Sequence, residues 1–249
     1  MTSVSPQDWQ QYNQRLESWS PREILKWAWE SFGPDIAATS SFQSQSVPLL
    51  HMIAEVTPEM PVLFLDTGFH FPETLAFRDR LVKEWGLKVQ VIKPDLGRDG
   101  FQRQYGELYR TDPDMCCYIN KVEPLRKARQ GLRGWISGIR RDQTEQRRNT
   151  PVLAVLPSGQ VKICPMVNWT RRDVWQYISR HDLPTHPLMK EGYLSIGCAP
   201  CTRPVGEGED ERSGRWAGQN KTECGLHISL DLETSESTHE QAEIPDKER

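Results

Sequence analysis

The stretch Ile36-Ala37-Ala38-Thr39-Ser40-Ser41-Phe42-Gln43-Ser44-Gln45-Ser46 decides the fold class of this chain. Its first four residues predict a short buried strand, and the apolar residues 47–53 that follow it predict a helix. A hydroxyl-rich turn between them leaves backbone N–H groups free at the positive end of the helix, where an anion can bind. Because no Gly-Lys-Ser/Thr is present, this is not a Walker A loop.

The next two units repeat the alternation of strand and helix. Residues 61–65 predict a second strand, which ends at Asp66-Thr67-Gly68 before a helix that opens at Phe71-Pro72-Glu73-Thr74. Residues 88–92 predict a third strand. Such alternation predicts an α/β fold with a doubly wound, mostly parallel sheet, which binds its ligands at the carboxyl ends of the strands.

Later segments extend this pattern. Residues 135–139 predict a fourth strand that ends at Arg140-Arg141, residues 152–164 predict a hairpin, and Thr170 predicts the N-cap of a further helix. Residues 95–114 form a polar segment without a predicted element.

Four segments organise the chain. We expect an N-terminal helical segment at 1–34, with a capping box that starts at Ser20, and a nucleotide-binding α/β domain at 35–197. A glycine-rich catalytic segment at 198–227 should pack on that domain. Residues 228–249 hold seven acidic residues against two basic ones, which predicts an acidic disordered tail.

Composition excludes several classes of protein. A net charge of −3 gives no support to nucleic-acid binding, and no stretch reaches the roughly 18 to 20 apolar residues of a membrane span. Residues 1–11 have neither a basic region nor an apolar run, so we expect no signal peptide and a cytoplasmic protein. Six cysteines in such a chain indicate metal or redox use more than a disulfide framework.

Four of the cysteines suggest one metal centre. The adjacent pair Cys116-Cys117 and the motif Cys198-x-x-Cys201 together supply four thiolates, which suit zinc or an iron–sulfur cluster. Neighbouring side chains diverge, so a single zinc ion would strain the adjacent pair, whereas a four-iron cluster offers each thiolate its own iron. Zinc and unconnected thiols remain the alternatives. Cys164, among apolar neighbours, is expected to be a buried spectator.

Cys224 is left as a candidate nucleophile. Lys221 and His227 are close to it in sequence, and nearby cations favour the reactive thiolate. The alternative is an exposed structural cysteine.

A set of basic residues could bind sulfate or phosphate groups of a ligand through charge-assisted hydrogen bonds. The alternative for each is a solvated surface charge, which is how we interpret Arg147-Arg148. The set consists of Lys121, Arg140, Arg141, Arg212 and Arg215.

Together these motifs resemble the adenylylsulfate reductases of the assimilatory sulfate pathway, in the larger family shared with the phosphoadenylylsulfate reductases. The resemblance spans roughly residues 35–227. Its most specific parts are the paired cysteines and the ending Glu223-Cys224-Gly225-Leu226-His227. The others are the serine turn, Asp66-Thr67-Gly68 with Phe71-Pro72-Glu73-Thr74, Gly138-Ile139-Arg140-Arg141, Cys198-Ala199-Pro200-Cys201 and Arg212-Ser213-Gly214-Arg215-Trp216.

The resemblance implies a fold like that of the adenine-nucleotide PP-loop enzymes, and it implies a reaction. Cys224 would attack the sulfonate sulfur of adenylylsulfate, AMP would leave, and thioredoxin or a glutaredoxin-like protein would release sulfite from the S-sulfocysteine. A [4Fe-4S] cluster would be held by Cys116, Cys117, Cys198 and Cys201. The substrate would contact Ser40, Ser41, Phe42, Ser44, Asp66, Thr67, Gly68, Lys121, Arg140, Arg141, Arg212, Arg215 and His227.

Three other functions are compatible with the sequence. The first is a reductase of the 3′-phosphorylated nucleotide, although relatives with that substrate typically lack the cluster cysteines. The second is a PP-loop tRNA sulfur transferase, and the third is a zinc-stabilised thiol sensor. A homo-oligomer is compatible with the sequence as well.

Overall fold

The computed structural model describes residues 6–219 and 221–226, so His227 and the predicted acidic tail lie outside the described residues. The helices are α1 Pro6–Leu16, α2 Pro21–Phe32, α3 Val47–Val56, α4 Pro72–Trp85, α5 Gly97–Tyr105, α6 Leu108–Thr111, α7 Pro113–Cys117, α8 Glu123–Ala128 and α9 Arg171–Arg180. The strands are β1 Ile36–Thr39, β2 Val62–Leu65, β3 Val89–Ile92, β4 Gly134–Ser137, β5 Leu153–Val155 and β6 Val161–Ile163. Short 3-10 turns occur at Gly33–Asp35, Ser44–Ser46, Arg141–Gln143, Glu145–Arg147, Pro187–Glu191 and Ala199–Cys201, and a π-helical turn at Tyr118–Val122 joins α7 to α8.

The six strands form one sheet in the order β3-β2-β1-β4-β6-β5. Every neighbouring pair is parallel except β5 with β6, which are the two arms of the predicted hairpin. Strands β1 and β4 are in the middle, where Ala38 is aligned with Val62 on one side and with Ile136 on the other. This arrangement confirms the predicted fold class.

The order of strands follows from which residues can be buried. Central strand β4 is buried along its whole length, as the apolar run Trp135-Ile136 requires. Strand β3 lies at an edge and leaves Gln90 and Val91 exposed. Strands β2 and β3 are added on one side of β1, and β4 is added on the other side. At such a reversal of strand order, the carboxyl ends of the two parallel strands β1 and β4 border a crevice.

The N-terminal helices join the same core as the sheet. Ser20 caps α2 through the predicted capping box with Glu23. Leu16 of α1 and Ile24 of α2 are almost completely buried in the cluster that also contains Ile36 of β1. None of the described helices is long and apolar enough to span a membrane.

The segment 95–114 is more ordered than its polarity indicated. It forms α5, α6 and the start of α7, because Phe101 and Tyr109 are buried against Phe69. Phe101, Tyr105, Leu108 and Tyr109 do have helical spacing, but the charged residues and glycines around them led the segment to be interpreted by its polarity.

A buried histidine supports the serine turn. The backbone N–H of His186 donates to the Ser44 hydroxyl (3.0 Å), and its Nε2 lies 3.0 Å from the Thr74 hydroxyl at the start of α4. The Nδ1 atom accepts from the backbone of Leu188 at 3.3 Å, so Nε2 carries the proton of the neutral ring. His186 is 0 % exposed, and burial lowers its pKa to about 4.

This histidine should make stability depend on pH. Between pH 6.5 and 4 the His186 ring is protonated in the unfolded chain but neutral in the native protein. The contribution of His186 to the free energy of unfolding is therefore fully present above pH 6.5 and decreases as the pH drops. We expect His186 to account for a loss of about 3 kcal/mol by pH 4. Urea unfolding across this range should show a flatter pH dependence for His186→Gln than for wild type or for the control His181→Gln. An identical slope for His186→Gln would contradict the assignment.

Candidate active site

A cavity opens at the carboxyl ends of β1, β2 and β4 and, together with the solvent at its mouth, takes up about 1200 Å³. The described residues that line it carry four permanent cations (Lys121, Arg147, Arg212 and Arg215) and a single carboxylate, Glu223. Cys224 lines the same cavity. A concave site with this excess of positive charge is suited to an anionic ligand.

The serine turn forms one wall of the cavity. Ser40 and Ser41 line it, together with Gln43 and Gln45 of the same turn. The Ser40 hydroxyl accepts the backbone N–H of Phe42 at 3.1 Å. The turn is therefore held in a defined conformation while its hydroxyl groups remain beside the ligand space.

Two predicted contact residues of the turn point elsewhere. Phe42 has φ 53° and is 0 % exposed, because its ring packs edge-on against Phe64 at 5.6 Å in the core. Ser44 is also buried, since its hydroxyl accepts the backbone N–H of His186. Both side chains shape the turn from behind and do not line the cavity.

The segment after β2 is divided in the same way. Thr67 lines the cavity, where its hydroxyl accepts the N–H of Phe69 (3.2 Å) and lies 3.3 Å from the Cys198 sulfur. The Asp66 carboxylate instead accepts the backbone N–H of Gly68 at 3.0 Å. Gly68 has φ 75° and approaches Arg98 so closely that a Cβ would lie 2.9 Å from the Arg98 Cβ. Asp66 and Gly68 thus form the turn that presents Thr67.

The two arginines after β4 are both engaged outside the cavity. Arg140 is 1 % exposed, and it donates to Asp142 at 2.9 Å and to Gln45 at 2.7 Å. Arg141 points toward the N-terminal helices, where it pairs with Glu17 at 2.7 Å. The structure does not bring either guanidinium to the ligand space, since neighbouring residues after a strand point in different directions. Arg140 acts through Gln45, which it orients.

Arg147 is a functional candidate that the sequence interpretation missed. The expectation that it is solvated is wrong: Arg147 is 8 % exposed, lines the cavity and pairs with Glu223 at 2.6 Å. Arg148 is exposed, as expected. Gln143 and Arg147 are four residues apart in two successive short turns, and both line the cavity. This spacing was the available signal that Arg147 faces the same way as Gln143.

Three predicted cations do meet in the cavity. Lys121 is partly buried, and although burial opposes its charge, the nearby thiols of Cys198, Cys117 and Cys224 raise its pKa. Burial lowers the pKa of Arg212, and the Glu223 carboxylate partly offsets that lowering. The Arg215 guanidinium stacks on Trp216 at 4.4 Å from the ring centre.

The Arg215 side chain also explains a glycine. A Cβ at Gly197 would lie 2.2 Å from the guanidinium, so only glycine allows Arg215 to pass this close to the backbone. The same guanidinium donates to the Ile196 carbonyl at 3.3 Å. Gly197 therefore fixes Arg215 at the wall of the cavity.

The four predicted metal ligands share a second, smaller cavity. Cys116, Cys117, Cys198 and Cys201 all line a small space beside the main cavity, and Cys198 and Lys121 line both. Burial raises the pKa of the Cys116 thiol to about 12 and that of Cys201 to about 11, and the neighbouring sulfurs add to both shifts. Only a strongly cationic centre would make thiolates of these groups.

This set of donors fits an iron–sulfur cluster. Four cysteine sulfurs around one space match the ligand chemistry of a [4Fe-4S] centre. The Asn120 amide also lies 3.7 Å from the Cys116 sulfur. Among residues 6–219 and 221–226, no three cysteine, histidine or acidic side chains converge closely enough for a single metal ion. The fit therefore rests on the sulfurs and on the shared space.

The remaining two cysteines have different surroundings. None of the six cysteines, all of which lie among the described residues, forms a disulfide bond. Cys164 is 1 % exposed in the main apolar core, where a spectator was expected. Cys224 is partly exposed and lines the main cavity together with Lys121 and Arg212.

A parallel sheet with a cationic crevice, a thiol in that crevice and a cysteine quartet beside it defines a class of nucleotide-binding enzymes with sulfur chemistry. Comparison with known families agrees with this class. The chain belongs to the family of the phosphoadenosine phosphosulfate reductase domain, whose model matches residues 35–204.

Similar proteins extend over most of the chain. An adenosine 5′-phosphosulfate reductase of Streptomyces coelicolor is 45% identical over 85% of this chain and 90% of its own. The protein of the same name from Mesorhizobium japonicum is 47% identical over 84% and 83%. Among solved structures, a phosphoadenylyl-sulfate reductase from Candida auris in a phosphate complex has a TM-score of 0.71 at 29% identity, covering 80% of this chain and 98% of its own. An FMN adenylyltransferase of Candida glabrata, at 14% identity and a TM-score of 0.56, covers 85% of this chain and 74% of its own and shares the fold.

Proposed function

We propose that this protein reduces adenosine 5′-phosphosulfate to sulfite and AMP in the assimilation of sulfate toward cysteine. The observation that carries this proposal is that Cys224, a partly exposed cysteine outside the quartet, lies in a cavity lined by four cations. A sulfonated nucleotide is an anion with an electrophilic sulfur, so it needs both features. Relatives at 45% and 47% identity that are named adenosine 5′-phosphosulfate reductases support it.

The first step is covalent. The Cys224 thiolate attacks the sulfonate sulfur, a sulfur–sulfur bond forms, and the bond from that sulfur to the phosphate oxygen of AMP breaks. AMP leaves with the electron pair of the broken bond. Lys121, Arg147, Arg212 and Arg215 stabilise the negative charge that grows on the leaving phosphate.

The second step needs an external dithiol, for which we propose thioredoxin or a glutaredoxin-like protein. One thiolate of the reductant attacks the Cys224 sulfur, and sulfite leaves with the bonding electrons. The second thiol of the reductant then closes its own disulfide and returns Cys224 as a thiol. Two electrons pass from the dithiol to the substrate sulfur, which balances the reaction.

We propose that Cys116, Cys117, Cys198 and Cys201 hold the [4Fe-4S] cluster. When bound, it supplies an electrostatic environment beside the reacting sulfonate. Lys121 lines both the cysteine space and the main cavity, so its charge can act on the substrate from that side.

The nearest alternative is the 3′-phosphorylated nucleotide, the substrate named for the Candida auris enzyme. The same cavity and the same thiol would serve that reaction. Steady-state kcat/KM values with both nucleotides distinguish the two substrates, and we expect the higher value for the form without the 3′-phosphate.

The direct test is mass spectrometry of anaerobically purified protein mixed with adenosine 5′-phosphosulfate and no reductant. We expect a sulfonate adduct on the peptide that carries Cys224, and its loss with release of sulfite once reduced thioredoxin is added. Absence of any adduct, or an adduct on another cysteine, would contradict the proposed chemistry.

A further inference from the structure

The single carboxylate among the described residues that line the cavity belongs to Glu223, next to the proposed nucleophile. Its side chain is only 8% exposed. A carboxylate in an anion-binding cavity opposes the binding of an anionic ligand, so its presence there needs a physical reason.

The contacts of Glu223 give that reason. One carboxylate oxygen accepts the hydroxyl of Thr144 at 2.9 Å, and the other accepts Arg147 at 2.6 Å. Arg212 lies 3.5 Å from the same second oxygen. Charge-assisted hydrogen bonds of this kind, mostly shielded from water, are among the stronger polar contacts in proteins. They connect the residue before Cys224 to the turns at 141–147, which follow β4.

Neighbouring contacts hold the chain at the same place. The Thr222 hydroxyl accepts from the Gln146 amide at 3.2 Å, and the Thr222 carbonyl accepts from Arg212 at 2.9 Å. These bonds are exposed or involve neutral groups, so each contributes less than the Glu223 carboxylate does.

We propose that Glu223 is a positioning residue: its carboxylate, held by Thr144 and Arg147, seats the Cys224 sulfur in the cavity for attack. The inference rests on the proposed function, because it assigns Glu223 a role in the reaction of Cys224. It also has a cost, since the single carboxylate offsets part of the positive charge with which Arg147 and Arg212 attract the nucleotide. Glu223 therefore weakens the binding of the anionic nucleotide while it holds the Cys224 sulfur in place.

These opposite effects on nucleotide binding and on the rate of sulfonation distinguish a positioning role from a merely structural one. In Glu223→Gln the charge that holds the segment is lost while Arg147 and Arg212 are freed. We expect sulfonation of Cys224 at saturating adenosine 5′-phosphosulfate to slow by roughly tenfold or more, the effect of one buried charge-assisted bond. AMP should bind as tightly as to wild type, or more tightly.

The experiment uses the full chain, purified anaerobically, in four forms: wild type, Glu223→Gln, Thr144→Val and the control Glu207→Gln. Glu207 is exposed on the same C-terminal segment, so its variant has the same change of charge without a contact to the cavity. Thr144 does not line the cavity, and Thr144→Val removes one of the two holding bonds without changing any charge. It should slow sulfonation in the same direction, but less.

Three measurements decide the proposal: the single-turnover rate of sulfonation at Cys224, the Kd of AMP, and the rate at which iodoacetamide alkylates Cys224 without nucleotide. We expect alkylation to rise severalfold in Glu223→Gln, because the sulfur is no longer held in the cavity. Wild-type rates of sulfonation and alkylation in Glu223→Gln would overturn the proposal. So would a loss of AMP binding parallel to the loss of rate in both variants, which would indicate a structural role.

The alkylation arm keeps the two proposals distinguishable. If wild-type protein formed no sulfonate adduct, the proposed function would fail, while the alkylation rates of the variants would still show whether Glu223 seats Cys224.

Discussion

Replacing Cys224 by serine is expected to abolish sulfite formation, with a loss of about four to six orders of magnitude, as when other covalent nucleophiles are removed. A serine hydroxyl is a far weaker nucleophile than a cysteine sulfur, so the covalent step is lost with the sulfur. Nucleotide binding should be nearly unchanged, because the cations and the serine turn remain. The measurements are sulfite release with reduced thioredoxin and the Kd of AMP.

Cys164→Ala is the matched control, because Cys164 is buried in the apolar core away from the cavity. This variant should keep the chemistry and lose some stability. Iron and sulfide contents of Cys224→Ser should equal those of wild type. Loss of the cluster in that variant would mean that the proposed division of the cysteines between metal and chemistry is mistaken.

Replacing Lys121 by alanine should slow sulfonation by about two to three orders of magnitude, as when one preorganised donor to a developing charge is removed. Lys121 lines both the cavity that holds Cys224 and the space between the four other cysteines. Its loss removes positive charge from the leaving phosphate and from the Cys224 thiolate at once. Single-turnover kinetics measured beside the AMP Kd would assign the loss to the chemical step.

Lys127→Ala is a suitable control for this second prediction. Lys127 belongs to the helix that follows Lys121 and pairs with Asp95 and Glu123 at the surface. Its removal should leave the rate of sulfonation unchanged. A wild-type rate in Lys121→Ala would contradict the role that we assign to Lys121.

The sheet could be predicted because its signal is local. The clearest strand is the apolar run Val62-Leu63-Phe64-Leu65, and β1, β2, β3 and β6 are each followed by turn residues and a helix. The helices α5 and α6 could not be predicted in this way. They exist because Phe101 and Tyr109 pack on Phe69, and that contact joins segments about 30 to 40 residues apart.

The site was only partly predictable for a related reason. The sequence shows which cations follow strands, but it does not show which acidic groups neutralise them. Arg141 pairs with Glu17, which follows α1 and is more than a hundred residues away in sequence, whereas Arg147 lines the cavity and pairs with Glu223. Phe42 likewise looked like part of a binding turn, yet its ring fills the core behind that turn.

The π-helical turn at Tyr118–Val122 fixes the number of residues between the cysteine pair and α8. Such a turn holds about one residue more than an α-helical turn, so deleting one residue would leave a continuous helix. The deletion would rotate the helix before it by about 100° relative to the helix after it. Leu125 of α8 is anchored in the core, so deleting a residue between the cysteine pair and Lys121 would turn the paired thiols out of phase with Lys121. Such a deletion would keep the helix continuous but would separate Cys116 and Cys117 from Cys198 and Cys201.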